Sequence, residues 1–313
     1  MEKRNKILSI CLPTYNRSQC IGEQLHRLSL INKDVLENIE IIVSDNCSID
    51  DTKIVVESYL ELLDFTYVRN KENIGPDANF YNCLMMAHGQ YAWLLGDDDF
   101  LEYKKIKDLL YELGNGDYGL VHISSIKKDL PVKIFTNIED FLLEIDVYIT
   151  FMSGNIINMK YFRLLDLSTY IGSFFLQVPL YINSAIHSNK NCIIYDKMFE
   201  VNTVNENGGY NIFEVFVKNY LSIFHDFLIN GRISKSLYHN EIMISKKFIM
   251  PYFYKFFIRK ESSNFKTDNG LEIMYNYFGK WETWSSVVKF VLKNITIIII
   301  NKLKVFTLSN KNI

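Results

Sequence analysis

The residues best suited to chemistry are three consecutive carboxylates, Asp97–Asp99, which follow the short apolar run Tyr91–Leu95. A run of this length, bounded by Gly89 and Gly96, predicts a buried strand rather than a helix. Adjacent carboxylates repel one another, so a fold that clusters them at a strand end generally supplies a cation. Two interpretations fit this stretch: a metal site, or a charged turn whose acids cap a helix starting near Glu102.

The elements upstream of this stretch predict how the acids are positioned. Apolar runs predict strands at Ile7–Leu12, Ile39–Val43 and Phe65–Val68, with helical patterns between them. Alternation of strand and helix predicts right-handed crossovers and a largely parallel sheet with helices on both faces. The polar loop Pro13–Arg17, the loop after the second strand and the acidic stretch all leave carboxyl ends of strands. We therefore expect them to converge on one crevice.

Composition excludes several classes of protein. The chain of 313 residues has 48% hydrophobic residues and a net charge of −2, so no basic field indicates a nucleic-acid partner. Its five cysteines lack CxxC spacing, which favours reduced thiols in a cytoplasmic protein over a disulfide frame or a zinc site. The N-terminal apolar run stops at Pro13 and is shorter than the core of a signal peptide, so we interpret it as a strand.

The second half of the chain is predicted to be mainly helical. Helices are expected at about 211–230, 234–258 and 270–306, and another over Phe174–His187 that Pro179 kinks or divides. These patterns predict a catalytic domain over 1–210 and a helical region over 211–313.

The stretch 281–306 contains the apolar run Ile295–Ile300 with lysines on both sides and Trp281 and Trp284 upstream. Two interpretations fit it: a helix lying in a membrane interface, or a helix packed on the catalytic domain.

Four motifs in order resemble a family 2 glycosyltransferase of the GT-A fold: SICLPTYNR, IIVSDNCSIDDT, NIGPDANFYNCLMMAHGQY and WLLGDDDFL. The WLLGDDD form and the later SGN are most similar to the abequosyltransferase-type branch, which decorates bacterial surface polysaccharides. The resemblance implies an α/β fold, Rossmann-like, with a mostly parallel sheet flanked by helices and a helical C-terminal extension. It places the nucleotide-sugar half at about 1–101 and the acceptor half at about 102–210.

The resemblance also implies roles for particular residues. Asp98 falls at the last acid of the DxD signature, the expected ligand of Mn²⁺ or Mg²⁺, with Asp97 and Asp99 beside it. Asp97 would otherwise reach the ribose or a metal-bound water, and Asp99 would orient the acceptor or cap the next helix. Asp45 matches the acid that binds the nucleobase, its alternative being a turn cap. The remaining residues expected to contact or shape the nucleotide-sugar site are Pro13, Thr14, Tyr15, Arg17, Asn73 and Gly75.

Two departures from the family pattern stand out. Many members carry an arginine for the diphosphate where this chain has Phe80, which leaves Arg17 as either a substitute or an exposed loop residue. An inverting enzyme also needs a carboxylate base, and the segment Phe175–Gln177 that matches its usual position has no acid. The base therefore stays unassigned. The residues considered for it are Asp99, Asp166, Glu200, Glu206 and His187.

The sequence thus predicts an inverting, metal-dependent glycosyltransferase. It would move a sugar from a nucleotide-diphospho-sugar to a glycan acceptor, lipid-linked, in the synthesis of O-antigen, capsule or another surface polysaccharide. It would act in the cytoplasm, peripheral at the inner face of the cell membrane, with no nucleic-acid partner. One alternative is an inactive polysaccharide-binding or scaffold protein of the same fold. A sugar nucleotidyltransferase is disfavoured because PTYNR lacks the glycines of a triphosphate loop.

Overall fold

The computed structural model describes residues 6–125, 130–201 and 208–293. The chain divides into two compact units, one with the bounds Met1–Asn205 and Phe227–Leu237 and the other with the bounds Glu206–Asp226 and Tyr238–Ile313. The division into a catalytic domain over 1–210 and a helical region over 211–313 stays a prediction.

The first unit is built on an eight-stranded mixed sheet, whose strand order is β3-β2-β1-β4-β8-β6-β9-β7. A separate antiparallel pair joins β5 to β10. The strands are β1 (Leu8–Thr14), β2 (Ile39–Asp45), β3 (Thr66–Arg69), β4 (Tyr91–Leu94), β5 (Asp99–Leu101), β6 (Leu120–Ile123), β7 (Lys133–Phe135), β8 (Asn155–Asn158), β9 (Asn191–Ile194) and β10 (Phe199–Val201).

The four strands β3, β2, β1 and β4 pair in parallel, as the alternation of strands and helices predicts. Every residue of the central strand β1 is buried, because helices cover both faces of a sheet of this kind. Antiparallel strands enter only beyond β4, where β8 pairs with both β4 and β6. The prediction of a mostly parallel sheet flanked by helices is confirmed.

The helices are α1 (Ser18–Ser29), α2 (Lys33–Leu36), α3 (Thr52–Ser58), α4 (Pro76–Met85), α5 (Ile106–Asn115), α6 (Ile138–Ile145), α7 (Gln177–Ile186), α8 (Tyr220–Ile229), α9 (Lys235–Phe253) and α10 (Gly270–Phe278). The prediction that Pro179 kinks a helix over Phe174–His187 is wrong. The helix α7 starts only at Gln177, so Pro179 lies in its first turn, where the missing backbone N–H breaks no helical hydrogen bond.

The acidic stretch does not run into a helix. Asp99 begins the strand β5, which pairs with β10 in the register Asp99↔Val201, and the helix α5 starts only at Ile106. A 3₁₀ turn over Tyr103–Lys105 leads into α5, so a helical segment does begin near Glu102 as predicted. The acids do not cap it, because β5 lies between them and this turn. The short antiparallel pair instead holds the last acid within a strand.

The predicted helix over 270–306 is interrupted. The helix α10 ends before Gly279, whose φ of 80° lies in the left-handed region that favours glycine. Residues 280–293 are again helical. The run Ile295–Ile300 and the rest of the stretch to 306 lie outside the described residues. Within the described ranges, no helix combines the length and apolarity needed to cross a bilayer.

Candidate active site

Three strands deliver the candidate residues to one edge of the sheet. β1 ends at Thr14 and β2 at Asp45, and these two residues lie opposite each other in the parallel register. β4 pairs with β1 on its other side and leads into the acidic turn. The hydroxyl of Thr14 donates to Oδ2 of Asp97 at 2.6 Å. The parallel strands thus bring the loop after β1, the loop after β2 and the acidic turn to one place, as their carboxyl ends must share an edge.

Asp97 and Asp98 share one cationic partner. Nη1 of Arg17 lies 2.8 Å from Oδ1 of Asp97 and 2.8 Å from Oδ2 of Asp98. Asp97 is almost fully buried, at 3% exposure. Burial raises the pKa of the Asp97 carboxyl to about 6, although the charge of Arg17 and the hydrogen bond from Thr14 favour its ionised form. A buried acid therefore depends on this arginine for its charge balance.

Ser153 fixes the shape of the acidic turn. Its hydroxyl accepts the N–H of Gly96 at 2.8 Å and donates to Oδ2 of Asp99 at 2.5 Å. Its carbonyl accepts the indole N–H of Trp93 at 2.8 Å. A Cβ added at Gly96 would lie 2.9 Å from Oδ2 of Asp99, so a side chain at that position would require the carboxylate of Asp99 to shift. Ser153 is part of the SGN motif, which the sequence marked only as a family feature.

Asp99 faces a different environment from the other two acids. Burial raises the pKa of its carboxyl to about 6, against the hydrogen bond from Ser153. One carboxylate oxygen is turned to Ser153, and neither reaches Arg17 through an ion pair among the described residues. The described part of the chain contains no cluster of three or more metal-ligating side chains. The three acids are therefore not brought together as one ligand set, and Asp97 and Asp98 form the convergent pair.

Asp97 and Asp98 nevertheless fit a divalent cation. An oxygen from each lies at the same distance from a single nitrogen, so the two carboxylates already point to one position occupied by positive charge. Carboxylate oxygens are the ligands that Mg²⁺ and Mn²⁺ prefer. Both oxygens belong to a turn whose backbone is held by Ser153. These two residues could hold such an ion.

Asp45 is fully buried and has partners on both carboxylate oxygens. Oδ1 accepts the N–H of Ser48 at 2.8 Å, and Oδ2 accepts the hydroxyl of Tyr67 at 3.0 Å. Nε of Arg69 lies 3.3 Å from Oδ2. Burial, followed by the hydrogen bond to Asp45, raises the pKa of Tyr67. The sequence did not predict the roles of Tyr67 and Arg69. Because they are two residues apart on β3, which is the neighbour of β2, their side chains point to the same face of the sheet.

Asparagine side chains tie the loop before α4 to the end of β2. Nδ2 of Asn46 donates to Oδ1 of Asn73 at 2.8 Å, and Nδ2 of Asn70 donates to Oδ1 of Asn46 at 3.1 Å. Asn79 accepts from Asn70 and from the hydroxyl of Ser44. Asn73 also accepts the backbone N–H of Gly75, which has a φ of 84°. The network gives the loop a defined shape next to the strand edge.

Other predicted nucleotide residues lie at the same edge. Pro13 is buried within β1, while Tyr15 follows the strand and is 41% exposed. Asn16, with a φ of 51°, accepts the backbone N–H of Ile49 through its side chain and donates its own N–H to Ser48. The loops after β1 and β2 are thus joined by hydrogen bonds.

Asp77 is a buried acid that the sequence reasoning missed. It lies in the first turn of α4 and is 2% exposed. Its Oδ2 accepts the N–H groups of Gly172 and Phe174 at 2.8 and 2.9 Å, whereas Oδ1 has no hydrogen-bond partner within the described ranges. Burial raises the pKa of its carboxyl. Nothing in the sequence distinguishes Asp77 from an ordinary helix-start acid.

Gln177 lies where the resemblance places the base. Its Nε2 donates to the carbonyl of Thr150 at 3.1 Å, and its Oε1 is the other buried side-chain atom without a partner in the described residues. The segment Phe175–Gln177 has no acid of its own. The carboxylate of Asp77 is bonded to Gly172 and Phe174, just before this segment.

The residues proposed as the base are dispersed. Asp166 is exposed and caps a turn by accepting the N–H of Ser168 at 2.9 Å. Glu200, on β10, pairs with Arg27 and Lys197. Glu206 lies outside the described residues. No side-chain hydrogen bond or ion pair in the described ranges links Asp166 or Glu200 to the three acids. The backbone of Glu200 lies opposite Phe100 in the pair of β10 with β5, next to Asp99.

His187 is positioned by its own helix. Its Nδ1 lies 2.8 Å from the carbonyl of Asn183, and its ring stacks on Tyr161.

Several known proteins are similar in sequence to part of this chain. Residues 9–178 match Glycosyl transferase family 2. Abequosyltransferase RfbV of Salmonella typhimurium is 39% identical over 97 residues, which cover 30% of this chain and 29% of that protein. GalNAc(5)-diNAcBac-PP-undecaprenol beta-1,3-glucosyltransferase of Campylobacter jejuni is 35% identical over 111 residues, 35% of each protein. The chain thus spans about a third of the length of these curated relatives.

Solved structures extend the likeness across most of the chain. The crystal structure of S. aureus TarS 1–349 in complex with UDP-GlcNAc superposes with a TM-score of 0.62 at 16% identity, covering 87% of this chain and 80% of that chain. The mannosyltransferase PcManGT from Pyrobaculum calidifontis, in complex with GDP-Man and Mn²⁺, gives a TM-score of 0.52 at 16% identity and covers 80% and 76%. At these identities the likeness concerns the fold, and it confirms the predicted GT-A architecture. Because the family match includes the acidic turn and more than half of the chain, this protein belongs to glycosyl transferase family 2.

Proposed function

We propose that the protein transfers a sugar from a nucleotide-diphospho-sugar to a glycan acceptor of a bacterial surface polysaccharide, with the help of Mn²⁺ or Mg²⁺. The observation that carries the proposal is the convergence of Asp97 and Asp98 on one cation position at the carboxyl edge of the parallel strands. The similarity to RfbV and to the Campylobacter glucosyltransferase supports a surface glycan as the product. TarS with UDP-GlcNAc and PcManGT with GDP-Man and Mn²⁺ support the donor class and the metal.

The residues present suit the departure of a nucleoside diphosphate. A divalent ion held by Asp97 and Asp98 would neutralise charge on the leaving diphosphate. Thr14 donates to Asp97 and Ser153 holds Gly96, so the two carboxylates keep their orientation while the diphosphate is bound.

We assign recognition of the nucleobase to the region around Asp45. Tyr67 and Arg69 orient its carboxylate, and Tyr15 offers an exposed ring after β1. A base N–H that bonded to Asp45 would have to share or replace the hydroxyl of Tyr67. Pro13, Asn73 and Gly75 shape the walls of this region.

The inverting outcome is a proposal that rests on the family resemblance. It requires a carboxylate that accepts the proton of the acceptor hydroxyl as that oxygen attacks the anomeric carbon. Asp99 has the buried position and raised pKa that suit such a group. Asp166 and Glu206 stay candidates by sequence order.

A lipid-linked acceptor and peripheral association with the inner face of the membrane complete the proposal. In the helix 280–293, Trp281, Val288 and Leu292 are exposed at helical spacing and Lys289 and Lys293 accompany them. Aromatic and apolar residues with basic neighbours suit a membrane interface. Co-sedimentation with vesicles containing anionic lipid tests this part. Binding that a Trp281→Ser variant weakens supports it, and the absence of binding by the natural protein contradicts it.

Calorimetric titration of UDP, CDP, GDP and dTDP, each with and without Mn²⁺, tests the donor part. We expect one of them to bind, and to bind more tightly when Mn²⁺ is present. Failure of all four to bind in the presence of Mn²⁺ would overturn the proposal. It would favour the alternative of an inactive scaffold with the same fold.

A further inference from the structure

The guanidinium of Arg17 lies between the two carboxylates to which the proposed function assigns the divalent ion. A single nitrogen of its guanidinium bonds to Asp97 and Asp98 at 2.8 Å each. Two carboxylates, one of them 3% exposed, therefore share a protein cation in the absence of ligands. A divalent ion and a guanidinium compete for these two oxygens, because two positive charges held at contact distance from the same atoms repel each other.

The backbone around Arg17 is held while its side chain is accessible. Asn16 is bonded in both directions to the loop after β2, through Ser48 and Ile49. The N–H of Ser18 donates to Oδ2 of Asp50 at 3.1 Å, just before α1 begins. The side chain of Arg17 itself is 39% exposed. The guanidinium can therefore leave the acids by side-chain rotation alone, without a change in the fold.

Arg69, a second arginine at the same edge of the sheet, is held by more contacts than Arg17. Arg69 bonds to the carbonyl of Ser48 at 2.8 Å in addition to Asp45, and it lies on the strand β3. Within the described residues, the hydrogen bonds and ion pairs of the Arg17 side chain, in contrast, go only to Asp97 and Asp98. Charge on those acids is what holds Arg17 in place, so a cation that binds them releases it.

We propose that Arg17 is an internal counter-ion that occupies the cation position between Asp97 and Asp98 in the ligand-free protein and moves onto the donor's diphosphate when the divalent ion enters. This inference rests on the proposed function and adds a coupling between metal and donor. The ion alone must displace Arg17, whereas the diphosphate offers the displaced guanidinium a new anionic partner. Metal and diphosphate therefore bind cooperatively, and each raises the affinity for the other by the same factor.

Binding of Mn²⁺ alone, followed by the electron paramagnetic resonance signal of free Mn²⁺, tests the proposal without any turnover. We expect Arg17→Ala and Arg17→Gln to bind Mn²⁺ about tenfold more tightly than the natural protein, because the competing charge is gone. Arg27→Ala is the matched control, since Arg27 pairs with Glu23 and Glu200 rather than with the acidic turn. Its Mn²⁺ affinity should equal that of the natural protein.

The second measurement is the affinity for the nucleoside diphosphate that binds in the titrations above, taken at saturating Mn²⁺, where Arg17 has left the two carboxylates. The Arg17 variants should bind it about tenfold more weakly, because the diphosphate loses a charged donor. The factor by which this diphosphate improves Mn²⁺ binding should also shrink in both variants.

An unchanged or weaker Mn²⁺ affinity in folded Arg17→Ala and Arg17→Gln would overturn the inference. Loss of folding in both variants would do the same, since Arg17 would then be a structural residue rather than a movable one. Either result leaves the proposed function standing as long as the natural protein binds a nucleoside diphosphate with Mn²⁺. Failure of the natural protein to bind any of them is the separate result that overturns the proposed function.

Discussion

Two aspartate–arginine pairs lie at the same edge of the sheet and differ in how their partners are held. Asp45 bonds to Ser48, Tyr67 and Arg69, and that arginine lies on a strand and bonds also to a backbone carbonyl. Asp97 bonds to Thr14 and to Arg17, which lies in a loop and reaches over to Asp98.

The difference teaches which part of the site is rigid and which part can rearrange. The pair at β2 has bonds from several elements, so its geometry is defined before any ligand arrives. The pair at the acidic turn has a fixed carboxylate and a partner held mainly by charge. We infer that the pair at β2 recognises the nucleobase and that the pair at the acidic turn rearranges when the divalent ion binds. The four predictions below test that contrast, from the largest expected effect to the smallest.

Asp98→Ala should have the largest effect because it removes the more accessible of the two convergent carboxylates. We expect the affinity for the nucleoside diphosphate in the presence of Mn²⁺ to fall about 100-fold or more, and Mn²⁺ binding to be lost. Calorimetry and circular dichroism measure binding and folding. Asp34→Asn, an exposed acid in α2, is the control that should behave as the natural protein. Metal-dependent binding that persists in Asp98→Ala would place the cation elsewhere.

Ser153→Ala tests the rigid support of the acidic turn. The change leaves the N–H of Gly96 and one oxygen of Asp99 without their buried partner. We expect the free energy of unfolding to fall by about 2–4 kcal/mol, measured by urea denaturation. Ser58→Ala, which removes an exposed hydroxyl bonded to a helix carbonyl, is the matched control. Equal stabilities of the two variants would show that the turn does not need Ser153.

Asp45→Asn tests the recognition assigned to the rigid pair. The amide keeps the shape of the side chain but removes the charge that Arg69 and Tyr67 contact. We expect nucleoside diphosphate binding to weaken by about 10- to 100-fold, while binding of Mn²⁺ alone stays unchanged. Weaker Mn²⁺ binding in this variant would mean that the two pairs do not act separately.

The pH dependence of stability should reveal the two buried acids, Asp97 and Asp99. Burial raises the pKa of Asp97 and of Asp99 to about 6, so the folded state binds these protons more tightly than the unfolded state does. Their contribution to stability is full at low pH and is lost as the pH rises through 6. Between about pH 5 and 8 we expect the free energy of unfolding to fall by about 1 to 1.5 kcal/mol for each carboxyl.

The matched variant for this prediction is Asp97→Asn. In this variant the free energy of unfolding should decrease less between pH 5 and 8, because only one of the two carboxyls still contributes. A free energy of unfolding that rises over the same pH range would contradict the prediction, because it would mean that the folded state favours the ionised acids.

Much of the fold was predictable because periodicity and strand-end loops depend on local sequence. The apolar runs before Pro13, Asp45 and Gly96 predicted the strands that carry the site, and alternation predicted their parallel order. The wrong predictions concern helix boundaries, because the effect of a proline or glycine on a helix depends on its position within that helix. Pro179 is harmless in a first helical turn, and Gly279 ends α10 through a left-handed conformation.

The candidate site was predictable only in part. The order of the polar loops indicated that they converge, since strand ends in a parallel sheet must meet, and the family resemblance singled out Thr14, Asp45, Asp97 and Asp98 within them. Nothing local indicated that Asp77 would bond to Gly172 and Phe174, because these contacts join segments far apart in the chain. The partners of Asp45 on β3 were missed for the same reason.

The sequence by itself determined the family, the parallel half of the sheet and the presence of carboxylates at its edge. These follow from motif order and from hydrophobic periodicity, which are properties of short stretches. Only the tertiary structure decided how the three acids divide, with Asp97 and Asp98 turned to Arg17 and Asp99 turned to Ser153. The physical reason is that Asp97 and Asp98 lie in the turn, whereas Asp99 already belongs to the strand β5. Their partners come from β1's loop and from the segment before β8, which only folding brings together.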